Sequence, residues 1–449
     1  MSFTDAKPAR GGSARSARGS GWTDVYLASG AKAVSAAGDL LAAIALVLEL
    51  QERGMGGFAV AALLIAEAAP PVLLVRWAGR LADRVDSRWL LVLSGLAQAA
   101  VCVGLAFAGG LAEIIALVAV LAAGLALTQP CLSALVPEMV GPDDLPRATA
   151  LSQTATAAGT MLAPALAGVL MGHFGLRVPL LADAATYLAI AVAGGLIRTR
   201  RGGRTGPAAQ PAEKKTENKQ ETGWRLRQDQ LVWSAVVLIG AVVTAAGLVN
   251  VAEVFLVRGT LHASASVYGL LDSVWIAATM AGAWLLARRR PADWALGRAL
   301  LGMLALTCLS VAAFAVVPAA GWLVPVSLLG GLGNGGVNNA AAVLIGRRAP
   351  AAARGQAFAG VGAVVSAATT GGYLLGGLLL ALIPVRPAIA VAGLAGLAVT
   401  AAFALPVLRA CRRERAQAQP QPQPQPEPET QPQPQPQPQP AREPSETTA

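Results

Sequence analysis

The 449-residue chain is 55% hydrophobic and 13% charged, with a formal net charge of +10. Soluble domains run nearer to about 45–50% apolar and about 25% charged, so these proportions exclude an ordinary water-soluble globular protein and point to a chain that lies in a bilayer. Cys102, Cys131, Cys308 and Cys411 are far apart with no C-x-x-C spacing, and His173 and His262 stand alone, so neither a metal site nor a disulfide framework is expected.

Residues 1–23 are rich in Arg, Gly and Ser and lack the apolar core of a signal peptide, which predicts a disordered cytosolic tail. A helix needs about 20 mainly apolar residues to cross the hydrocarbon. Segments of that kind fall at 25–50, 57–78, 89–109, 112–134, 148–171 and 178–198, giving an N-terminal six-helix half over 24–198. The stretch RTRRGGRTGPAAQPAEKKTENKQETGWRLRQ that follows is too polar to span and too poor in apolar residues to form a core. It predicts a cytosolic linker over 199–229. A second set of spans, at 230–256, 266–287, 296–317, 322–345, 355–382 and 386–408, gives a C-terminal half over 230–409. The alternating Pro and Gln of the last segment, 410–449, favour extended polyproline II and predict a solvated cytosolic tail.

Lys and Arg accumulate on the cytoplasmic side of membrane proteins. With both termini inside, only Arg53, Arg177, Arg258 and Arg386 of the 35 basic residues fall outside, and Lys32 lies within the first span. Dropping one helix would scramble that alternation. The expected fold class is therefore an all-α membrane protein of twelve transmembrane helices in two halves. Its positive charge is spread over cytosolic segments beside an anionic membrane, which argues for a lipid bilayer partner and against nucleic acid.

Ionisable groups in the hydrocarbon cost about 2.5–3.5 kcal/mol on insertion scales and are candidates for function by default. Asp39 lies near the middle of the first span and Glu67 near the middle of the second. Desolvation favours the neutral form of a carboxyl, the property a proton carrier needs. Lys32, two turns before Asp39, is placed to act as its counter-ion or to snorkel to the interface. Asp183, Glu253 and Asp272 fall nearer the external helix ends and rank lower, while Asn250 is one turn before Glu253. The tenth span carries GGLGNGGVNN (330–339), whose formal G-x-G-x-x-G at Gly331, Gly333 and Gly336 lies inside an apolar helix with no preceding strand. That context rejects a dinucleotide site and favours close helix packing. Asn334, Asn338 and Asn339 turn at least one amide toward the bundle interior. GGYLLGG (371–377) is expected to be packing and hinge material.

The loop after the second span reads GRLADRVDSRW (79–89). Gly79-x-x-x-Asp83-Arg84-x-x-x-Arg88 resembles the signature loop between helices 2 and 3 of the major facilitator superfamily, in the form found in drug:proton antiporters related to macrolide and enterobactin exporters. Ser35-x-x-Gly38-Asp39, LVPEMVGPDDLPRATAL (135–151), Ala163-Pro164-x-x-Ala167-Gly168 and RGQAFA (354–359) resemble further family segments in the correct order. The likeness covers residues from about 24 to 408. It implies the major facilitator fold, with Gly79, Asp83, Arg84 and Arg88 as a charged latch at the cytosolic gate and Pro164 and Gly168 as an antiporter-like motif in helix 5. The loop between helices 8 and 9, ARRRPADWALGR (287–298), departs from the pattern by lacking the Gly and the matching Asp spacing.

The resemblance and the buried acids together predict a secondary transporter in a bacterial plasma membrane, monomeric and without cofactors. It would export small hydrophobic organic compounds such as antibiotics or natural products in exchange for protons. The alternatives are a siderophore or metabolite exporter, a proton-coupled uptake carrier, and a receptor or scaffold without transport. No G-x-x-x-x-G-K-[ST] occurs, so an ATPase is not indicated, and no catalytic constellation suggests an enzyme.

Overall fold

A computed structural model describes residues 21–199, 229–289, 292–350 and 353–418. The tail expected over 1–23 and the linker over 199–229 lie almost wholly outside these residues, as does 419–449 of the C-terminal tail.

The first half comprises α1 (Trp22–Glu52), α2 (Gly57–Arg84), α3 (Ser87–Phe107), α4 (Leu111–Met139), α5 (Leu145–Phe174) and α6 (Arg177–Leu196). The second comprises α7 (Gln230–Val254), α8 (Ala265–Arg289), α9 (Asp293–Phe314), α10 (Leu323–Arg348), α11 (Arg354–Leu382) and α12 (Val385–Ala418). Short connections make most neighbours in sequence antiparallel. Gly54 at φ 72° and Gly175 at φ 69° turn the chain after α1 and α5, a backbone state that glycine enters without a Cβ penalty. On the opposite side of the bundle, Asp86 caps α3 by accepting from the Arg88 N–H at 2.9 Å. Asp229 caps α7 by accepting from Leu231 and Val232 N–H at 2.9 and 3.2 Å.

Eleven of the described helices are long and apolar enough to cross a membrane, the exception being α10. Its GGLGNGGVNN stretch lowers its hydropathy, and neighbouring helices compensate by covering it. Gly331 sits against the carbonyl of Trp275 in α8, and Gly333 against the carbonyl of Met303 in α9; added Cβ atoms would lie 2.6 and 2.7 Å from them. Packing through small residues lets backbones approach closely in lipid. The glycines of the formal dinucleotide motif are thus packing positions. α12 continues to Ala418, past the expected boundary at 409, which the end of the apolar run had marked; its last turns carry Arg in place of apolar residues. Arg415 there stacks 5.0 Å from the centre of the Trp294 ring.

Within the first half, α1 packs on α5 and α6, α3 on α6, and α2 on α4; within the second, α10 packs on α8 and α9, α12 on α9, and α11 on α7. The halves meet through α5 with α8 and α2 with α11. These seams lie at the ends carrying few basic residues, the external side by charge. Gly377 of α11 abuts Ala61 of α2, where a Cβ would lie 2.9 Å away, and Gly269 of α8 meets the Pro164 carbonyl of α5. The Ala165 N–H donates to Ser273 Oγ at 3.0 Å, and Arg258 pairs with Glu52 at 2.5 Å. The bundle is closed on its external side.

Candidate substrate and coupling site

Asp39 sits midway along α1, where Gly38 lets α6 come close: a Cβ at 38 would fall on the Asp183 carboxylate and the Thr186 side chain. Tyr187 donates its hydroxyl to Asp39 Oδ1 at 2.5 Å. Asp183, fully buried, accepts from Cys102 Sγ at 3.2 Å and from Thr186 Oγ1 at 3.0 Å. The two aspartates are within electrostatic reach of each other, and Glu67 adds a third acid near Asp39. Asp39 and Glu67 line one narrow crevice of about 30 Å³ between α1, α2 and α4, whose other walls are Ala, Val and Leu. Lys32 is not in it; its Nζ donates instead to Ser133 Oγ of α4 at 3.0 Å.

The second half holds a larger cavity of about 360 Å³. Asn250, Glu253, Asn334 and Asn338, singled out on sequence grounds, all line it. Thr307 and Thr369 add hydroxyls, Trp275 and Phe314 add aromatic surface, and much of the rest is Val and Ala. Glu253 lies within electrostatic reach of Asp272, and Tyr268 beside both. Immediately after Glu253 the helix opens into a π-helical turn, Phe255–Thr260, a feature often found at functional sites. Asn334 donates to Thr279 Oγ1 at 3.5 Å, a long contact that leaves its amide available to the cavity. Tyr373 of α11 stands beside both regions, within interaction reach of Asn250 and within electrostatic reach of Glu67 across the interface.

The expected gate residues lie at the end of α2 and the start of α3. Gly79 and Asp83 lie in the last turns of α2, but their side chains are outside the described residues, and so is the latch expected of Asp83. Arg84 is exposed and borders a crevice between α2, α3 and α4. Arg88 is in the first turn of α3, with its backbone N–H held by Asp86. Pro164 and Gly168 stand at the external seam with α8, where the Ser266 hydroxyl donates to the Gly168 carbonyl at 3.4 Å. The second-half loop that departs from the family pattern nevertheless carries an ionic cluster. Asp293 pairs with Arg347 at 3.2 Å and with Arg348 at 3.4 Å, and Arg348 reaches Asp229 at 3.0 Å. That cluster ties α7, α9 and α10 together inside one half.

Sequence reasoning passed over Tyr187, Cys102, Trp275 and Tyr373. Tyr187 had a legible signal, since Asp183 and Tyr187 are four apart on one helix and share a face. The others come from helices remote in sequence, and no local spacing marks them.

The Major Facilitator Superfamily profile matches residues 28–322 and, overlapping, 238–444. No curated protein sequence matches the chain. Among solved structures, the nucleoside transporter NupG is similar at a TM-score of 0.65 and 12% identity, covering 85% of this chain and 98% of its own. A bacterial homolog of the human lysosomal transporter Spinster, in an inward-facing and unoccupied conformation, reaches 0.62 at 13% identity over 89% and 96%. The peptide transporter POT in complex with sulfate reaches 0.63 at 18% identity over 90% and 97%. At such identities these structures share the fold alone. The two overlapping profile matches span both halves of the helical bundle, and the chain is a multi-pass membrane protein belonging to the major facilitator superfamily.

Proposed function

We propose that this protein is a monomeric secondary transporter that exports small, largely hydrophobic organic compounds in exchange for protons, by alternating access between its two halves. The observation that carries the proposal is the division of labour between them. The first half concentrates Asp39, Asp183 and Glu67 in a tight apolar setting with room for little more than a proton or a water. The second offers a roomy cavity with aliphatic and aromatic walls and a few fixed amides. Binding pockets for small molecules are commonly about 300–1,000 Å³ and mostly apolar with sparse polar groups, and the second-half cavity fits that description. Tyr373, between Glu67 and Asn250, is the contact through which protonation in one half is felt in the other. Closure of the external seams fits one end of the alternating cycle, and no catalytic activity belongs to this reading.

A second reading, proton-coupled uptake of a more polar metabolite, draws support from the polar members of the cavity, Asn250, Asn334, Asn338 and Glu253. One experiment separates the two. In energised everted vesicles, an exporter releases lumenal protons when its substrate is added, seen with a pH-sensitive dye over a panel of antibiotics, dyes and siderophores. Asp39→Asn abolishes that release. A compound that moves protons the opposite way supports uptake, and an unchanged response in Asp39→Asn vesicles removes Asp39 from the coupling role.

A further inference from the structure

Among the described residues a further cavity is larger than both the crevice of the acids and the cavity of the amides. It is a crevice of about 690 Å³ between the basic half of α2 and a wall formed by α3 and α4. Pro70 and Pro71 lie in α2 just before it; proline removes an intrahelical hydrogen bond and crowds the preceding turn, which lets the following stretch leave its neighbours. Beyond them α2 contributes Leu74 and Leu81 to the crevice, and the wall contributes Val101, Val120 and Leu127. Leu73, Trp77, Leu93 and Leu96 around its mouth are exposed apolar residues on the lipid side. At its basic end stand Arg80 and Arg84. Both are exposed, Arg80 lies 5.9 Å from the centre of the Trp77 ring, and among the described residues neither makes an ion pair.

We infer that this crevice is a binding site for an anionic phospholipid of the inner leaflet, one acyl chain lying against the α3 and α4 wall and the phosphate held by Arg80 and Arg84. The dimensions agree. Leu74 to Arg84 spans about 15 Å of helix, which is half of an approximately 30 Å hydrocarbon core and therefore the depth of one leaflet. The charge agrees as well, because the apolar part of the crevice ends at two arginines on the cytoplasmic side, where basic pockets between helices recognise lipid head groups. Ser94 and Gln98 are the only other polar residues among the described residues of its lining, and a transported compound offers no reason for two cations at the membrane interface beside a mostly apolar trough. The crevice shares no lining residue with the coupling crevice or the amide cavity, and the site stands whether or not the exporter reading holds.

The test uses the full-length protein in nanodiscs containing equal parts phosphatidylethanolamine and phosphatidylglycerol, with retained lipids counted by native mass spectrometry. Wild type should keep phosphatidylglycerol in preference. Arg80→Gln should lower that preference about fivefold, the effect of one basic residue near a membrane surface. Ala97→Trp and Val120→Trp place bulk in the trough at two points and should each lower retention of either lipid, in samples that unfold at the wild-type temperature. Either filling variant serves if the other does not fold. The proposal fails if wild type holds the two lipids equally, if Arg80→Gln binds as wild type does, or if the filled variants keep their lipid. It also fails if the crevice retains a transported compound in place of phospholipid.

Discussion

Asp39 and Tyr187 show how much one hydrogen bond can carry inside a membrane. The hydroxyl is the only donor to the Asp39 carboxyl among the described residues, and Tyr187 is itself fully buried. Leaving a buried polar group without its partner costs about 1–3 kcal/mol, and each 1.4 kcal/mol is about tenfold in an equilibrium. Tyr187→Phe is therefore expected to lower transport driven by a pH gradient by about tenfold while substrate counterflow persists, which proteoliposomes can measure side by side. An equal loss of both activities would place Tyr187 in substrate binding or folding instead of coupling. Gly38 is the neighbouring constraint. Gly38→Val pushes side-chain atoms onto Asp183 and Thr186, and overpacking of this kind costs about 1–3 kcal/mol, to be read as a lower unfolding temperature in detergent. Of these residues, Asp39 was evident from sequence as a charge in an apolar run. Its pairing was not, because the partners arrive from α6, more than a hundred residues later.

The two main helix crossings between the halves are built on small residues. At the α5 and α8 seam, Gly269 lies on the Pro164 carbonyl and Gly168 on the Ala265 carbonyl. Bulk at either point prevents the external closure without disturbing the interior of either half. Gly269→Leu should yield a folded protein trapped open to the outside. A cysteine placed at Ser266 in that variant should react with an external thiol reagent much faster than in wild type, with transport lost. Reversing an equilibrium from about 1:99 to 99:1 takes about 5.5 kcal/mol, within reach of a leucine driven against backbone. Unchanged labelling would show that α5 and α8 separate little during the cycle. The residues 163–168 resemble an antiporter motif in sequence, and their role in the fold is this close crossing. α10 makes a related point. Its glycines and asparagines leave it short of the hydropathy of a membrane span, yet it crosses because α8 and α9 cover its glycine face.

At the scale of the whole molecule, one ion pair spans the external mouth. Glu52 follows the end of the long apolar run of α1, and Arg258 lies in the π-helical turn after α7, so their 2.5 Å contact joins the two halves. Both side chains are partly exposed, at 39% and 23%, and pairs of that kind contribute about 0–1 kcal/mol. Glu52→Arg alone should thus shift the balance between open and closed forms modestly, and the exchange Glu52→Arg with Arg258→Glu should restore it. Distances between spin labels on the external ends of α2 and α11 would record the shift. A double variant no closer to wild type than the single one would mean that the glycine seams alone hold the mouth shut.

The amino-acid sequence by itself determined the number and order of the helices, the two halves and which ends face the basic side. Each of these depends on local quantities: about 20 apolar residues per span, and basic residues at alternate ends. It also marked the candidate chemical groups, because a charge or an amide within an apolar run carries a cost wherever the helix finally sits. Only the tertiary structure decided which groups meet. It gathered Asn250, Glu253, Asn334 and Asn338 at one cavity and Asp39 and Glu67 at another, and it turned Lys32 toward Ser133 and away from the acid two turns along. It placed an ionic cluster at the α8 to α9 loop, where the sequence pattern had lapsed, by supplying arginines from the end of α10. The physical reason is common to all these cases. The membrane fixes each helix along its normal through hydropathy, but the rotation and neighbours of a helix are set by side-chain packing between segments far apart in the chain.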